Sequence, residues 1–195
     1  MSEQLAPSST QELSREFPAV AEREYVEAQL SIPMAVDGEI KEILKLTSLI
    51  SFDRDEPITN SAGYRQFQFV ISEWEVGGFS ELLNEWVTFT LSDCVQPQSV
   101  MMASTTEADF PASVIYSSIF DVYVGKRRVA EMVSGLGIGN DVTTVPPTNT
   151  VNWQKTFTLG GGVETMPGAC TCMSASSTPS AEFTERMAQF RAVRS

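Results

Sequence analysis

The stretch Tyr64–Val76, YRQFQFVISEWEV, decides how the rest of the chain is read. Tyr64, Gln66, Gln68 and Val70 fall on one side and Phe67, Phe69 and Ile71 on the other, the period-2 pattern of a half-buried strand. Gly77-Gly78 ends the run. Downstream, EWVTFTLSDCV alternates again, with Trp86, Thr88 and Thr90 opposite Val87, Phe89 and Leu91. SVMMAST predicts a short strand, and SVIYSSIFDVYVG is the strand segment richest in β-branched and aromatic residues. NTVNWQKTFTL predicts another strand after a Pro pair. Strands at short spacing with turn signals between them predict a sandwich or a barrel. The fold expected is mainly β, a jelly-roll-like β-sandwich with helical N- and C-terminal extensions.

The flanks read differently. Ser9-Thr10-Gln11-Glu12 has the form of a capping box, and Pro18 breaks or restarts the helix it would open. Residues 1–36 are therefore read as an acidic, partly helical arm. Deleting the chain up to Pro18 is expected to leave the β core folded. In DGEIKEILKLTSLISF, Ile40, Ile43, Leu44 and Leu46 can share a helical face with Asp37 as cap, while Leu49, Ile50 and Phe52 suit a strand. A helix running into a strand is expected there. Residues 37–178 form the β-rich core domain, and residues 179–195 a terminal amphipathic helix with a Phe183, Met187, Phe190 stripe.

Composition narrows the chemistry. The 195 residues carry a formal net charge of -12 and no histidine. Triads, zinc sites and proton relays that depend on histidine are excluded. The acidity disfavours non-specific DNA binding and docking on anionic membranes. The first residues, MSEQLAPSSTQEL, have no signal-peptide pattern, and no apolar run approaches the roughly 20 residues of a membrane span. A cytosolic protein is expected.

VNWQKTFTLGGGVETMPGACTCM, Val151–Met173, concentrates the remaining candidates. Gly160-Gly161-Gly162 follows a strand but leads to Val163-Glu164-Thr165, where a phosphate loop needs Lys-Ser/Thr entering a helix. A glycine turn between strands fits better. Gly135, Gly137 and Gly139 lack the strand-before, helix-after order of a dinucleotide fingerprint, and are read as a helix cap and loop. Cys170 and Cys172 point to one face of a strand; with Cys94 as the remaining thiol they fall short of a zinc shell. No metal or cofactor is expected, and the redox state of the three cysteines stays open. Glu73 and Glu75 flank Trp74, and Asp53 lies near Asp55-Glu56. Such pairs could serve glycoside hydrolysis, although surface carboxylates are the rule in an acidic chain. Catalytic residues are expected to be absent. Lys126-Arg127-Arg128 is the dense basic cluster, and Arg186, Arg191 and Arg194 form a diffuse one. Both are read as contacts to another subunit or to RNA.

Three middle segments carry a family resemblance. SELLNEWVTFTLSDC, SVMMASTTEADFPASVI and IFDVYVGK resemble the middle strands of small jelly-roll coat proteins of icosahedral plant RNA viruses, the tymovirus type. The resemblance covers about the middle third of the chain. It implies a non-enzymatic virion subunit that self-assembles into a homo-oligomeric shell around viral RNA, made in the host cytoplasm. The alternatives are another assembly or binding module, such as a phage tail or neck component or a partner-binding β-sandwich, and a carboxylate-dependent hydrolase.

Overall fold

The computed structural model describes residues 16–147 and 150–194. The Ser9–Glu12 capping box lies outside them. Among the described residues the chain forms twelve strands and one helix. In order these are β1 (Glu22–Val36), β2 (Glu39–Arg54), β3 (Ile58–Thr59), β4 (Arg65–Ser80), β5 (Glu85–Leu91) and β6 (Ser99–Ala103). Then follow β7 (Ala112–Val124), β8 (Arg127–Val142), β9 (Thr150–Trp153), β10 (Thr158–Gly160), β11 (Val163–Thr165), β12 (Gly168–Ser176) and the helix α1 (Ala181–Arg194).

The protein is mainly β, and its sheet closes on itself. Antiparallel pairing runs from β1 to β2, β4, β5, β7, β8, β9 and β12, and β12 returns to β1. β6 continues the stave begun by β5, pairing with the other ends of β4 and β7. β11 likewise extends the β12 stave along β1. The result is an eight-staved barrel whose neighbours follow chain order. The expected jelly-roll sandwich is therefore corrected. A jelly roll needs Greek-key crossings between two sheets, whereas this meander satisfies its edges by closure.

The helices expected between residues 20 and 52 are strands. Asp37 is no helix cap: Asp37 and Gly38 both take positive φ, 51° and 79°, and form the two-residue primed turn of the β1–β2 hairpin. Along that hairpin β1 pairs with β2 from Glu22↔Arg54 to Val36↔Glu39, so residues 22–36 belong to the barrel and not to a helical arm. Even-numbered residues from Glu24 to Met34 and from Leu44 to Arg54 are buried, among them Ala28, Leu30, Leu44 and Leu46. The RRVAEMVSGLGIGND segment, expected as a short helix and loop, is β8.

Phe17 closes one end of the barrel. It is 3% exposed and meets Phe67 and Phe110 edge to face. Arg54, pointing inward beneath it, donates to the carbonyls of Pro18 and Val20 and pairs with Glu24 at 3.1 Å. Burial pushes the Glu24 carboxyl up, with Arg54 opposing.

The expected terminal helix is present. Ser180 caps it, its hydroxyl accepting from the Phe183 N–H at 3.0 Å. Phe183, Met187 and Phe190 pack on Leu49 and Tyr25 outside the barrel wall. Phe190 lies on Gly77, where a Cβ would come within 2.6 Å of its ring.

Asp121 pins an irregularity between β7 and β8. Burial alone would raise its carboxyl, but hydrogen bonds from Ser92, the Met132 N–H and Arg128 outweigh that and hold it below the ordinary 3.8. A depressed carboxylate contributes stability that is fully present above its unfolded value and lost as pH falls through its folded value. Asp121→Asn is therefore expected to cost stability at neutral pH and to lose that difference on acidification below 3.8. Urea midpoints of both proteins across that range test it. A constant offset between them would remove Asp121 from the acid response.

Candidate functional site

The barrel interior holds the candidate site, and its centre is a pair of tryptophans. Trp74 from β4 and Trp153 from β9 stack with ring centroids 5.4 Å apart and planes 11° from parallel. Trp74 points inward because of one extra residue. Between Ser51↔Glu73 and Phe52↔Ile71, Ser72 has no counterpart on β2. This bulge carries Trp74 and Val76 inside, and Glu73 and Glu75 outside.

Room for the Trp153 indole comes from Gly135 and Gly137, which with Gly139 occupy successive inward positions of β8. A Cβ on Gly135 would stand 2.9 Å from Trp153 Cζ3 and 2.8 Å from Ser118 Oγ. One on Gly137 would stand 2.9 Å from Val151 and 3.4 Å from the indole, and one on Gly139 2.9 Å from Val114. The stripe is thus neither a helix cap nor a loop, but the inner face of a strand stripped of side chains. Alternating glycines within a strand were the available signal for an interior needing space.

A cavity flanks each side of the tryptophan pair. One, of about 30 Å³, lies between the indoles and the Phe17 end, against Ala28, Ile71, Tyr116, Val151, Cys170 and Cys172. The other, of about 20 Å³, lies toward the opposite end, against Leu30, Phe89, Phe120 and Phe157. The first is lined by no ionised group. Burial pushes the Cys170 thiol up to about 12, partly offset by the Trp153 N–H, and raises Cys172 too. Burial also raises the Tyr116 phenol far above its usual range. All three are neutral near pH 7.

Hydrogen bonding distinguishes the two indoles. Trp74 Nε1 donates to Ser48 Oγ at 2.8 Å. Trp153 Nε1 meets only the Cys170 thiol, a weak acceptor, and Ser118 Oγ is buried without a hydrogen-bond partner among the described residues. An orphaned group of this kind costs about 1–3 kcal/mol.

Of the residues singled out in the sequence, Cys170, Cys172 and the β8 glycines face the barrel interior, and the others lie elsewhere. Lys126, Arg127 and Arg128 form the exposed β7–β8 hairpin, with Arg128 paired to Asp121 and Glu131 at 3.2 Å each. Arg186 pairs with Glu27 and donates to Thr47; Arg191 and Arg194 both pair with Glu75. The three helix arginines therefore engage this chain's own wall. Glu73 and Glu75 are not beside a Trp-lined cleft, since Trp74 faces the other way; Arg191 also lies 3.5 Å from Glu73. Asp53 is held by Arg23 at 2.7 Å. Gly160-Gly161-Gly162 are the β10–β11 turn at positive φ, and Cys170 and Cys172 sit on β12. Among the described residues no group of three or more His, Cys, Asp or Glu could hold a metal ion, and no helix is long and apolar enough to cross a membrane.

No family model matches the chain, and no curated protein matches it. A solved structure does: that of DynF from the dynemicin biosynthesis pathway of Micromonospora chersina, at a TM-score of 0.55 and 13% identity over 86% of this chain and 91% of that one. The likeness is one of fold. It overturns the expected coat protein, because the barrel matches a biosynthesis-pathway protein and not a virion subunit. The strand patterns behind the coat resemblance are those of any half-buried antiparallel strand.

Proposed function

We propose that the protein binds a small, largely apolar molecule inside its barrel, acting as a binding module and not as an acid–base catalyst. The observation that carries this is the pair of apolar cavities on either side of the Trp74–Trp153 stack. A barrel of eight staves encloses either a filled core or one small ligand. Here the core is interrupted at mid-height by the two cavities, and Gly135 and Gly137 leave the space that the Trp153 indole occupies between them.

The lining of the first cavity supports binding over catalysis. A general acid or base needs a group that titrates near the working pH. The Tyr116 and Cys170 groups are pushed the other way, into permanently neutral forms suited to hydrogen bonding with an uncharged ligand.

Calorimetric titration with naphthol and decanol, read beside tryptophan fluorescence, tests the proposal. Binding with a negative heat-capacity change is expected, since apolar surface leaves water. Ala28 is 2% exposed and lines the larger cavity. Ala28→Leu is expected to weaken binding at least about tenfold by filling that space, with the barrel still folded. Unchanged affinity in a folded Ala28→Leu protein would place the ligand outside the barrel.

A further inference from the structure

The geometry points to Trp153 as a placeholder in its own binding site. We propose that the ligand is a planar aromatic molecule bearing a carbonyl or hydroxyl on its ring, and that it binds on the Trp74 face by displacing the Trp153 indole. This rests on the interior-binding reading and specifies what the interior takes.

Space comes first. A cavity must offer roughly 10–15 Å³ to hold even one water. At about 30 and 20 Å³, neither cavity admits an organic ring. Both are bounded by the same two side chains, Trp74 and Trp153. Moving either indole would join them and free a ring-shaped slot.

The two indoles are not equally free to move. Trp74 is 4% exposed on a 16-residue strand, with its N–H held by Ser48. Trp153 ends a strand of 4 residues that is paired along its length to β12 but, among the described residues, meets β8 only at Gly137↔Trp153 and Ile138↔Asn152. Its N–H meets only the Cys170 thiol, a weaker acceptor than the Ser48 hydroxyl that holds Trp74. Swinging outward would let that N–H reach water, which offsets part of the lost packing.

The vacated slot specifies shape and polarity. One side is the Trp74 ring, nearly parallel to the departing indole, and another is the Cβ-free stretch of Gly135 and Gly137. A flat ring fits between them, and a branched or bulky one does not. At the slot's edge stands Ser118 Oγ. It and Trp153 Cζ3 both lie within 2.9 Å of the one point where a Gly135 Cβ would be. A polar substituent on a ring in the indole's place would give the Ser118 hydroxyl the partner it lacks.

Circular dichroism reads the displacement directly, because two stacked indoles couple their transitions and a separated pair does not. Saturating wild-type protein with naphthol is expected to abolish the coupled signal, whereas its persistence at saturation overturns the proposal. Trp153→Ala removes the competing occupant, and is expected to bind naphthol at least about tenfold more tightly, as when an unfavourable opening step is eliminated. Equal affinity in a cooperatively folding variant counts against displacement. Ser118→Ala is expected to erase the preference for naphthol over naphthalene; an unchanged preference overturns the assigned polar contact. Binding of decanol that Ala28→Leu weakens, with no binding of naphthol, would leave the interior-binding reading standing and sink this one. If neither probe binds, both fall. The wild-type measurement needs no variant, so a poorly folding Trp153→Ala leaves the proposal falsifiable.

Discussion

Phe17→Ala is expected to destabilise the protein by about 3–5 kcal/mol, the range for removing a buried phenylalanine ring. The ring is 3% exposed, with centroids 5.1 Å from Phe67 and 5.2 Å from Phe110. Its backbone N–H donates to Asp109 Oδ2 at 2.6 Å, and Asp109 is paired with Arg65 at 3.1 Å. Arg54 holds the residues that follow by their carbonyls. A ring fixed this firmly leaves a void that its neighbours cannot easily collapse into. Urea unfolding of Phe17→Ala beside Phe17→Leu measures the effect, with the leucine variant expected to recover part of it. A loss below about 1 kcal/mol would mean that the N-terminal segment lies on the barrel without supporting it. By the same reasoning, deleting the chain up to Pro18 is expected to destabilise the β core, contrary to the reading of this region as a dispensable arm.

Glu75→Ala is expected to release helix α1 from the wall at a cost of roughly 3 kcal/mol, the lower end for breaking a buried ion pair. Glu75 is 4% exposed, and its carboxylate accepts from Arg191 Nε at 3.1 Å, both Arg194 terminal nitrogens and Thr90 Oγ1 at 3.2 Å. It is the polar anchor beside an apolar contact of Phe183, Met187 and Phe190 on Leu49. Losing the carboxylate leaves Arg194 facing a wall with no counter-charge. Hydrogen exchange resolved along the chain distinguishes undocking from general loosening. Amides of α1 should lose protection first, while β7 and β8 keep theirs. A helix as protected as in the wild type would show that the apolar stripe alone holds it.

The C-terminal helix was legible because its signals are local. Ser180 caps it, and the stripe keeps helical spacing over two turns. Nothing distant was needed to read either feature. The glycine turn at residues 160–162 was legible for the same reason. Asp37-Gly38 was also a local signal, a hairpin turn between alternating runs. It was misread because Ile40, Ile43, Leu44 and Leu46 also fit a helical face. Pairing with β1 along the whole length of β2 overrode that propensity. Jelly roll and meander were indistinguishable at this level, since both use the same half-buried strands and differ only in which strand lies beside which.

The candidate site was the least legible part. Strict alternation from Phe67 would place Glu73 and Glu75 on the inner face, and only the unpaired Ser72 reverses them. A single inserted residue sends every later side chain to the opposite face. Gly135, Gly137 and Gly139 were noticed but tested against a phosphate-binding motif, when their period of two was that of a strand's inner face.

The amino-acid sequence by itself determined that the chain is a β protein with a terminal amphipathic helix, because alternation, turns and caps are written in neighbouring residues. It also excluded chemistry that depends on histidine. Closure of the barrel, the inward turn of Trp74, its stacking on Trp153 and the docking of Arg191 and Arg194 on Glu75 were decided only by the tertiary structure. Each depends on pairing or contact between residues tens of positions apart, and such long-range register leaves no local trace.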